Sequence, residues 1–431
     1  MTHRKSLLRS RWLAAGIACL VVTGVAVAAA AGAVATKSAP TLNVLVDQTR
    51  ATEIQAYLAR HPGLNVKVNV ITTDPLTEIR LALKAKSNIP DVLFDSGPTT
   101  YAGNEFQIYA GDLSKYIPPK VVKQFVPTSN TSCYLGGKLL CLRNDLAQDV
   151  LWVNTKLFQQ FGYKVPQTWQ QFEAVGLKLA QQHPGYSIGA TQGWNAFMDM
   201  YYGGFQCPFN QVLNAKTIRI NMHAVGCQHL YSTLDPLLKA GVLGGSVGFF
   251  DTAAQLGAAD KFLMMIGPSW WGDHILEPFY NAPKGEWTAN QPPSWGNGPR
   301  VTGSGGGGVW MMYRNTPNPK AAAAFIQAMT TDVPGAATKP TYPAYGPAVP
   351  VYSAHVATDP FYSRNPVPAM NLAAGELTST LSFARFDYTP VYDTIIAPAM
   401  KNGQSLASVA NAAQAALTKL AKQAGYKVVV N

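Results

Sequence analysis

Polar side chains follow two apolar runs near the start of the chain, at the points where each run ends. The first run is followed by Asp47, Thr49 and Arg50. The second run, at 90–95, ends with Asp95 and is followed by Ser96. In an open α/β sheet, ligands bind beyond the carboxyl ends of the strands, so these side chains are candidate ligand contacts. Charged hydrogen bonds are strong and directional, which suits a hydroxyl-rich ligand. The alternative is that Asp47 and Asp95 only cap the helices that follow.

Three patterns match catalytic or cofactor motifs without the context that such chemistry needs. Gly303–Gly308 matches G-x-G-x-x-G, but a strand follows it, whereas a dinucleotide motif opens a helix. A loop that approaches a ligand and an ordinary turn are both open interpretations. Gly244–Gly248 matches G-x-S-x-G, but no clear strand precedes it, as a nucleophile elbow requires. Asp251 and Asp273 could serve glycoside hydrolysis, but nothing fixes their separation. We therefore expect no cofactor and no enzymatic activity.

The N-terminal segment has the features of an export signal. Basic residues precede an uncharged run from Trp12 to Ala35, and Ala33–Ala35 is a small-x-small cleavage pattern. The run of 24 residues is also long enough to span a bilayer, so an uncleaved anchor is the alternative. Both interpretations place the remaining chain outside the cytoplasm, in the periplasm or at the cell surface.

The charge distribution argues against nucleic-acid binding. The formal net charge is +11, and loss of residues 1–35 leaves 30 Lys and Arg against 23 Asp and Glu, a balance of +7. The basic residues are scattered and form no cluster of the kind that grips nucleic acid.

Four of the five cysteines lie outside residues 1–35, namely Cys133, Cys141, Cys207 and Cys227. An even number in an exported chain favours two disulfides, although the sequence leaves three pairings open. Residues 133–141 predict a hairpin turning at Gly136–Gly137, which would set Cys133 opposite Cys141 and leave Cys207 for Cys227. The alternative is a zinc site of His223, Cys227 and His229, whose spacing fits no standard site.

The periodicity of apolar residues predicts two α/β regions. In the first, strands at 42–46, 64–70 and 90–95 alternate with helices at 52–59 and 74–86, which indicates right-handed parallel crossovers. The second region has predicted strands at 150–154, 186–189 and 262–267 and helices at 168–182, 230–240 and 252–261. A further strand at 309–313 precedes a helix at 319–330, and a helix at 406–423 lies near the C-terminus.

Several segments, in this order, resemble the family 1 extracellular solute-binding proteins of ABC importers. They are Ile89–Phe94, Leu151–Phe158, Tyr163–Phe172, Met264–Trp271, Gly305–Gly308 and Asn318–Ile326. Each segment is weakly specific alone, but together they cover the mature chain, and the Pro-x-Thr-Trp helix start at 166–169 is typical of the family.

The resemblance implies an α/β, two-lobed periplasmic-binding-protein fold of type II, with a ligand cleft at the interface of the lobes. Lobe I would comprise 41–145 with 300–345, and lobe II 150–298 with 350–431. Hinge crossovers would lie near 143–148, 297–302 and 343–350. Lobes on a hinge can close over a ligand that contacts both.

The resemblance also implies further contacts for a sugar. A flat ring can cover the apolar face of a pyranose while polar groups satisfy its rim. The additional candidates are Asp145, Trp194, Trp270, Trp271, Gly306, Gly307 and Tyr345. One of Trp270 and Trp271 is expected to face the cleft and the other the core. The tryptophans predicted as core residues are Trp152, Trp169 and Trp310.

The implied function is capture of a carbohydrate or related polyol for delivery to the permease subunits of an ABC importer. The expected partners are a small-molecule ligand and that permease, and the protein is expected to be a monomer. The alternatives are the same fold with a non-sugar ligand, such as glycerol phosphate or a polyamine, and an exported polysaccharide-acting hydrolase. A surface-anchored adhesion or sensor protein is a third alternative.

Overall fold

The computed structural model describes residues 40–71, 75–96, 108–377 and 386–430. Its strands are β1 (Leu42–Val46), β2 (Val66–Val70), β3 (Val92–Asp95), β4 (Tyr134–Leu135), β5 (Lys138–Leu139), β6 (Leu142–Arg143), β7 (Asp149–Asn154), β8 (Ala190–Gln192), β9 (Gln211–Asn214), β10 (Thr217–Arg219), β11 (Gly244–Gly248), β12 (Met264–Pro268), β13 (Trp287–Asn290), β14 (Val309–Met312) and β15 (Lys427–Val429).

The α-helices follow the same chain order. They are α1 (Gln48–Arg60), α2 (Pro75–Ala85), α3 (Pro119–Val122), α4 (Thr155–Gln160), α5 (Trp169–Gln182), α6 (Val225–Lys239), α7 (Thr252–Ala258), α8 (Pro319–Thr330), α9 (Val349–Val356), α10 (Val367–Gly375), α11 (Thr389–Val391), α12 (Ala397–Lys401) and α13 (Leu406–Gln423). Shorter 3-10 turns span Leu113–Lys115, Thr131–Cys133, Pro334–Ala337 and Gly346–Ala348, and π-helical turns span Met198–Tyr202, Gly272–Leu276 and Tyr392–Ile396.

The first sheet has five strands in the order β2-β1-β3-β14-β6. β1 pairs in parallel with both β2 and β3, which confirms the predicted crossovers through α1 and α2. β14 joins the sheet antiparallel to β3, so a segment from far along the chain completes it. Because β1 and β3 are parallel, the residues that follow them emerge at one edge, where polar side chains can converge on a ligand.

The second region contains several smaller sheets. β7 lies between β12 and β13, antiparallel to both, and every residue of β7 is buried. β8 pairs in parallel with β11, and β10 lies between β9 and β15. Trp152, Trp169 and Trp310 are buried, which confirms their prediction as core residues.

The strand predicted at 186–189 is wrong in its position. Ser187 N donates to Lys261 O at 2.8 Å, whereas Ile188 N donates to Val242 O at 2.9 Å. Successive residues therefore bond to two different segments, so a regular ladder begins only with β8 at Ala190.

The start of α5 shows how local sequence sets a helix boundary. The Thr168 side chain accepts a hydrogen bond from Gln171 N at 3.2 Å, and Gln171 Oε1 accepts one from Gln167 N at 2.7 Å. This reciprocal capping satisfies amides that have no partner within the helix, and it accounts for the Thr-Trp-x-Gln pattern. Pro184 and Gly185 follow the end of the helix.

Segments from three parts of the chain run side by side between β6 and β7. Asn144 N donates to Gly308 O at 2.9 Å, Leu146 N donates to Tyr342 O at 2.8 Å, and Asp149 N donates to Gly303 O at 3.2 Å. These bonds lie in or beside the predicted crossovers, and the boundaries assigned to the lobes stay a prediction.

Both predicted disulfides are present, between Cys133 and Cys141 and between Cys207 and Cys227. β4 and β5 form the predicted hairpin, and Gly136 and Gly137 adopt positive φ at its turn. The zinc alternative is wrong, because the Cys227 sulfur is bonded to Cys207 and is not available as a thiolate ligand.

The predicted signal or anchor segment at 1–35 lies outside the described residues. Within the described ranges, no helix has both the length and the apolar character needed to cross a bilayer.

Candidate ligand-binding cleft

A cavity of about 370 Å³ collects residues from both α/β regions. The predicted contacts that line it are Asp47, Thr49, Arg50, Ser96, Asp145, Trp194, Trp270, Gly306 and Gly307. The lining residues that the sequence analysis missed are Asn195, Ala196, Phe249, Phe250, His274 and Thr341. We call this cavity the cleft. Its volume is within the range of small-molecule sites, and its lining combines aromatic rings with carboxylates and backbone groups.

One wall of the cleft is set by the start of α1. Asp47 Oδ1 accepts a hydrogen bond from Arg50 N at 2.7 Å, so Asp47 caps the helix as the alternative interpretation held. Asp47 also lines the cavity, and a carboxylate has a second oxygen that can accept from a ligand. Capping and ligand binding are therefore compatible for this residue.

Arg50 is buried in a cluster of carboxylates. Its Nη2 atom lies 3.1 Å from Asp145 Oδ1, and its Nη1 atom lies 3.8 Å from Glu53 Oε1. Burial lowers the pKa of the Arg50 guanidinium, but Glu53, Asp145 and Asp47 outweigh burial and raise this pKa above its ordinary value. The guanidinium also lies 4.5 Å from the centroid of the Phe94 ring. The positive charge of Arg50 is therefore neutralised by carboxylates of the protein.

A glycine loop forms another wall. Gly306 and Gly307 have φ of 103° and 93°, in the region that favours glycine. A Cβ atom on Gly307 would also overlap the Arg143 guanidinium. Gly308 N donates to Asp145 Oδ1 at 3.2 Å, and this oxygen also accepts from Asn144 Nδ2 at 2.9 Å. The loop therefore brings its backbone to the cavity and is fixed to the Asp145 carboxylate.

The opposite wall is aromatic. The ring centroids of Trp194 and Trp270 are 5.8 Å apart at an interplanar angle of 72°, and those of Trp194 and Phe249 are 4.8 Å apart. Trp270 Nε1 donates to Gly305 O at 3.1 Å, which fixes the indole against the glycine loop. Phe250 continues the wall outward and is 57% exposed. Edge-to-face packing of this kind leaves ring faces available for the C–H face of a ligand.

Besides Arg50, whose Nε atom is buried without a hydrogen-bond partner among the described residues, two polar groups in the cleft have unmet or adjustable hydrogen-bonding capacity. Thr341 is 4% exposed, and its Oγ1 atom is buried with no hydrogen-bond partner among the described residues. A buried hydroxyl without a partner is unfavourable, so a ligand group at this position would satisfy it. Burial, together with the charge of Arg50, lowers the pKa of His274, so its ring is neutral near pH 7 and can both donate and accept.

Three predicted contacts do not line the cleft. Trp271 is 2% exposed and packs on Gly267 of β12, where a Cβ atom would overlap its ring, so Trp270 is the member of the pair at the cavity. Asp95 is the last residue of β3, where it pairs with Val309 of β14 and is 4% exposed. Tyr345 packs against Phe125, and its hydroxyl donates to Gln124 Oε1 at 2.8 Å.

The hydrolase motifs are not assembled. Ser246 lies within β11 rather than at a turn, and the described residues between the end of α6 and β11 form no strand, so the motif does not form a nucleophile elbow. Asp251 caps α7, and Asp273 accepts a hydrogen bond from the Tyr362 hydroxyl at 2.7 Å. Burial raises the pKa of Asp273 to about 7. Neither carboxylate is among the residues that line the cleft.

Comparison with known proteins identifies the family. A family model described as bacterial extracellular solute-binding protein matches residues 35–335. The chain therefore belongs to the bacterial extracellular solute-binding proteins, as the sequence motifs indicated. No curated protein sequence matches the chain significantly.

Solved structures share the fold over nearly the whole chain. The galacto-N-biose-/lacto-N-biose I-binding protein of an ABC transporter from Bifidobacterium longum is 16% identical, with a TM-score of 0.75 over 91% of this chain and 99% of that one. An ABC transporter associated binding protein from B. animalis subsp. lactis Bl-04 is 18% identical, with a TM-score of 0.74 over 90% and 99%. The cyclic alpha-maltosyl-1,6-maltose binding protein from Arthrobacter globiformis is 16% identical, with a TM-score of 0.70 over 89% and 99%. These similarities confirm the predicted two-lobed α/β fold.

Proposed function

We propose that this protein captures a neutral carbohydrate or related polyol in the cleft and delivers it to the permease of an ABC importer. The observation that carries the proposal is the lining of the cleft, where tryptophan and phenylalanine rings face carboxylates and backbone groups around one cavity. Aromatic faces suit the C–H surface of a sugar ring, and the polar groups suit its hydroxyls. The protein would act by binding, without chemistry of its own.

The charges in the cleft favour a neutral ligand over an anion. Arg50 is the arginine that lines the cavity, and Asp145 and Glu53 already neutralise it. An anion such as glycerol phosphate would have to displace one of these buried carboxylates from Arg50, and Asp145 would then lose its cation. Asp145 Oδ1 in turn accepts from Arg50, Asn144 and Gly308, so a polyamine would find mainly Asp47 as a counter-ion.

Family membership and the solved relatives support a sugar as the ligand class. The structures from B. longum and B. animalis subsp. lactis contain lacto-N-biose and beta-1,6-galactobiose, respectively. Delivery to a permease follows from the role of such proteins in ABC transporters. Export to the periplasm or the cell surface, and a monomeric state, belong to the same proposal.

Thermal unfolding of the chain lacking residues 1–35 tests the proposal. The protein is heated with neutral mono-, di- and oligosaccharides, glycerol phosphate or spermidine, and the same samples are analysed for products. A ligand at a hundredfold excess over its dissociation constant stabilises the native state by about 2.7 kcal/mol, which gives a clear upward shift of Tm.

A shift with a neutral sugar and no products is the expected result. A shift with glycerol phosphate alone would show that the charge argument is wrong. Products released from a polysaccharide would replace the binding function with a hydrolase.

A further inference from the structure

A second cavity lies in the region of β10 and the start of α6, apart from the cleft. Its volume is about 690 Å³, compared with about 370 Å³ for the cleft. Its lining residues include Trp169, Phe205, His223, His229 and Trp295, and we call it the aromatic pocket. No residue that lines the aromatic pocket also lines the cleft.

The rings of the aromatic pocket form a continuous series. His229 stacks on Trp295 with centroids 3.6 Å apart and an interplanar angle of 10°. Trp295 contacts Phe205 edge-on at 6.3 Å, and Phe205 stacks on Trp169 at 4.2 Å. Trp169 and Phe205 are largely buried, whereas Trp295 and His229 are partly exposed. The partly exposed rings therefore present flat apolar surface to the cavity.

The walls of the aromatic pocket are held in place covalently. The disulfide between Cys207 and Cys227 joins the 204–208 segment to the start of α6. Gly226 permits a close approach there, since a Cβ atom on it would overlap Phe205 O. A preformed pocket needs little ordering when a ligand binds, which favours affinity.

The aromatic pocket differs from the cleft in the charged residues that line it. No aspartate or glutamate is among the described residues that line it, whereas Arg219 lines it directly. Arg219 Nε is buried without a hydrogen-bond partner, and the side chain forms no ion pair with the described residues. Burial lowers the pKa of His229, so Arg219 is the principal cation near pH 7. A carboxylate placed here would gain a charged partner without displacing another acid.

We propose that the aromatic pocket is a second carbohydrate site, which takes a sugar bearing a carboxylate. The sugar ring would lie on an outer face of the stack that Trp295 and His229 form, its carboxylate would bind Arg219, and the amides of Gln206 and Gln211 would bind its hydroxyls. The inference does not depend on the ligand of the cleft, because the two cavities share no residue.

Fluorine NMR of the full mature protein labelled with 5-fluorotryptophan tests the proposal. The Trp295 signal is assigned from the spectrum of Trp295→Phe, and the probes are glucuronate, an oligogalacturonate, glucose and benzoate at millimolar concentration. Glucuronate is expected to shift the Trp295 signal, with weaker effects from glucose and benzoate, which each lack half of the recognised chemistry. Comparing glucuronate with oligogalacturonate distinguishes a free sugar acid from a unit of an acidic polysaccharide.

Arg219→Gln should weaken glucuronate binding by about tenfold or more, because it removes a charge-assisted hydrogen-bonding pair. Arg219→Lys should retain part of the affinity, and Arg314→Gln is the control that removes the same charge from an exposed arginine. Equal responses to glucose and glucuronate would overturn the proposal. The proposal would also be overturned if glucuronate shifted only the signals of Trp194 and Trp270. Unchanged affinity for glucuronate in Arg219→Gln would overturn it as well.

Discussion

The cleft and the aromatic pocket use the same side-chain types for different purposes. The paired residues are Arg50 and Arg219, Trp270 and Trp295, and His274 and His229, the first of each pair in the cleft. The arginine of the cleft is buried among carboxylates, whereas that of the aromatic pocket has no ion pair among the described residues. An arginine therefore indicates an anion site only where its charge is not already neutralised by the protein.

The arginines give the largest expected difference between the two cavities. Arg50→Met should lower the free energy of unfolding by about 3–5 kcal/mol, because it leaves the buried Asp145 carboxylate without its cation, whereas Glu53 keeps Lys339 Nζ at 3.6 Å. Arg219→Met should change the free energy of unfolding by no more than about 0.5–1 kcal/mol, since it breaks no ion pair with the described residues. Urea unfolding followed by circular dichroism measures both. Equal losses in the two variants would remove the distinction between a structural and a free cation.

The tryptophans separate the cavities by ligand. Trp270→Ala should weaken binding of the neutral sugar by about thirtyfold or more, because central aromatic contacts contribute about 2 kcal/mol or more to many binding sites. Trp295→Ala should leave that affinity unchanged, since Trp295 does not line the cleft. Isothermal titration calorimetry with the sugar identified by thermal unfolding measures both constants. If Trp295→Ala weakened sugar binding as much as Trp270→Ala, the sugar would not be confined to the cleft.

The histidines give the smallest effect, which depends on pH. Burial, together with Arg50, lowers the pKa of His274, and the carboxylates of Asp145, Asp47 and Glu53 oppose this shift without cancelling it. His274 is therefore neutral at pH 7 and takes up a proton only as the pH falls below its ordinary range. A bound sugar would exclude water from the protonated ring, so binding favours the neutral form and the affinity falls with pH.

We expect sugar affinity to decrease as the pH falls from 7 to 5, by at most about tenfold for one pKa unit of coupling, and the full loss is reached only below the pKa of His274 in both the free and the bound protein. His274→Gln should flatten this dependence, and His229→Gln should retain it, because His229 lines only the aromatic pocket. Calorimetric titrations across this pH range provide the comparison. An unchanged pH profile in His274→Gln would exclude His274 as the titrating group.

Much of the fold could be predicted because it follows from local patterns. The alternation at 42–95 matched the observed parallel sheet, and the Thr168 cap matched the start of α5. The strand predicted at 186–189 was misplaced because its backbone bonds to Lys261 and Val242, both distant in sequence. Apolar periodicity carries no information about which distant segments compete for a given backbone group.

The candidate site could be predicted only where strand ends or family motifs marked it. The strand-end rule located Asp47, Arg50 and Ser96 at the cleft. His274 was missed because it lies in a π-helical turn beyond the residues that directly follow the predicted strand at 262–267, and Thr341 was missed because it lies in a proline-rich connector that follows no predicted strand. The composition of Phe249–Phe250 could have suggested an aromatic wall, but nothing local indicated which cavity these rings face.

The sequence by itself determined the class of this protein and its two-lobed α/β architecture, because these depend on periodicity and ordered family motifs, and it favoured two disulfides while it left three pairings open. Only the tertiary structure decided which cysteines pair, that Trp270 faces the cleft while Trp271 packs on Gly267, and that Arg50 is ion-paired whereas Arg219 has no ion pair among the described residues. Orientation and charge compensation depend on neighbours brought together from distant parts of the chain, and no local pattern encodes those neighbours.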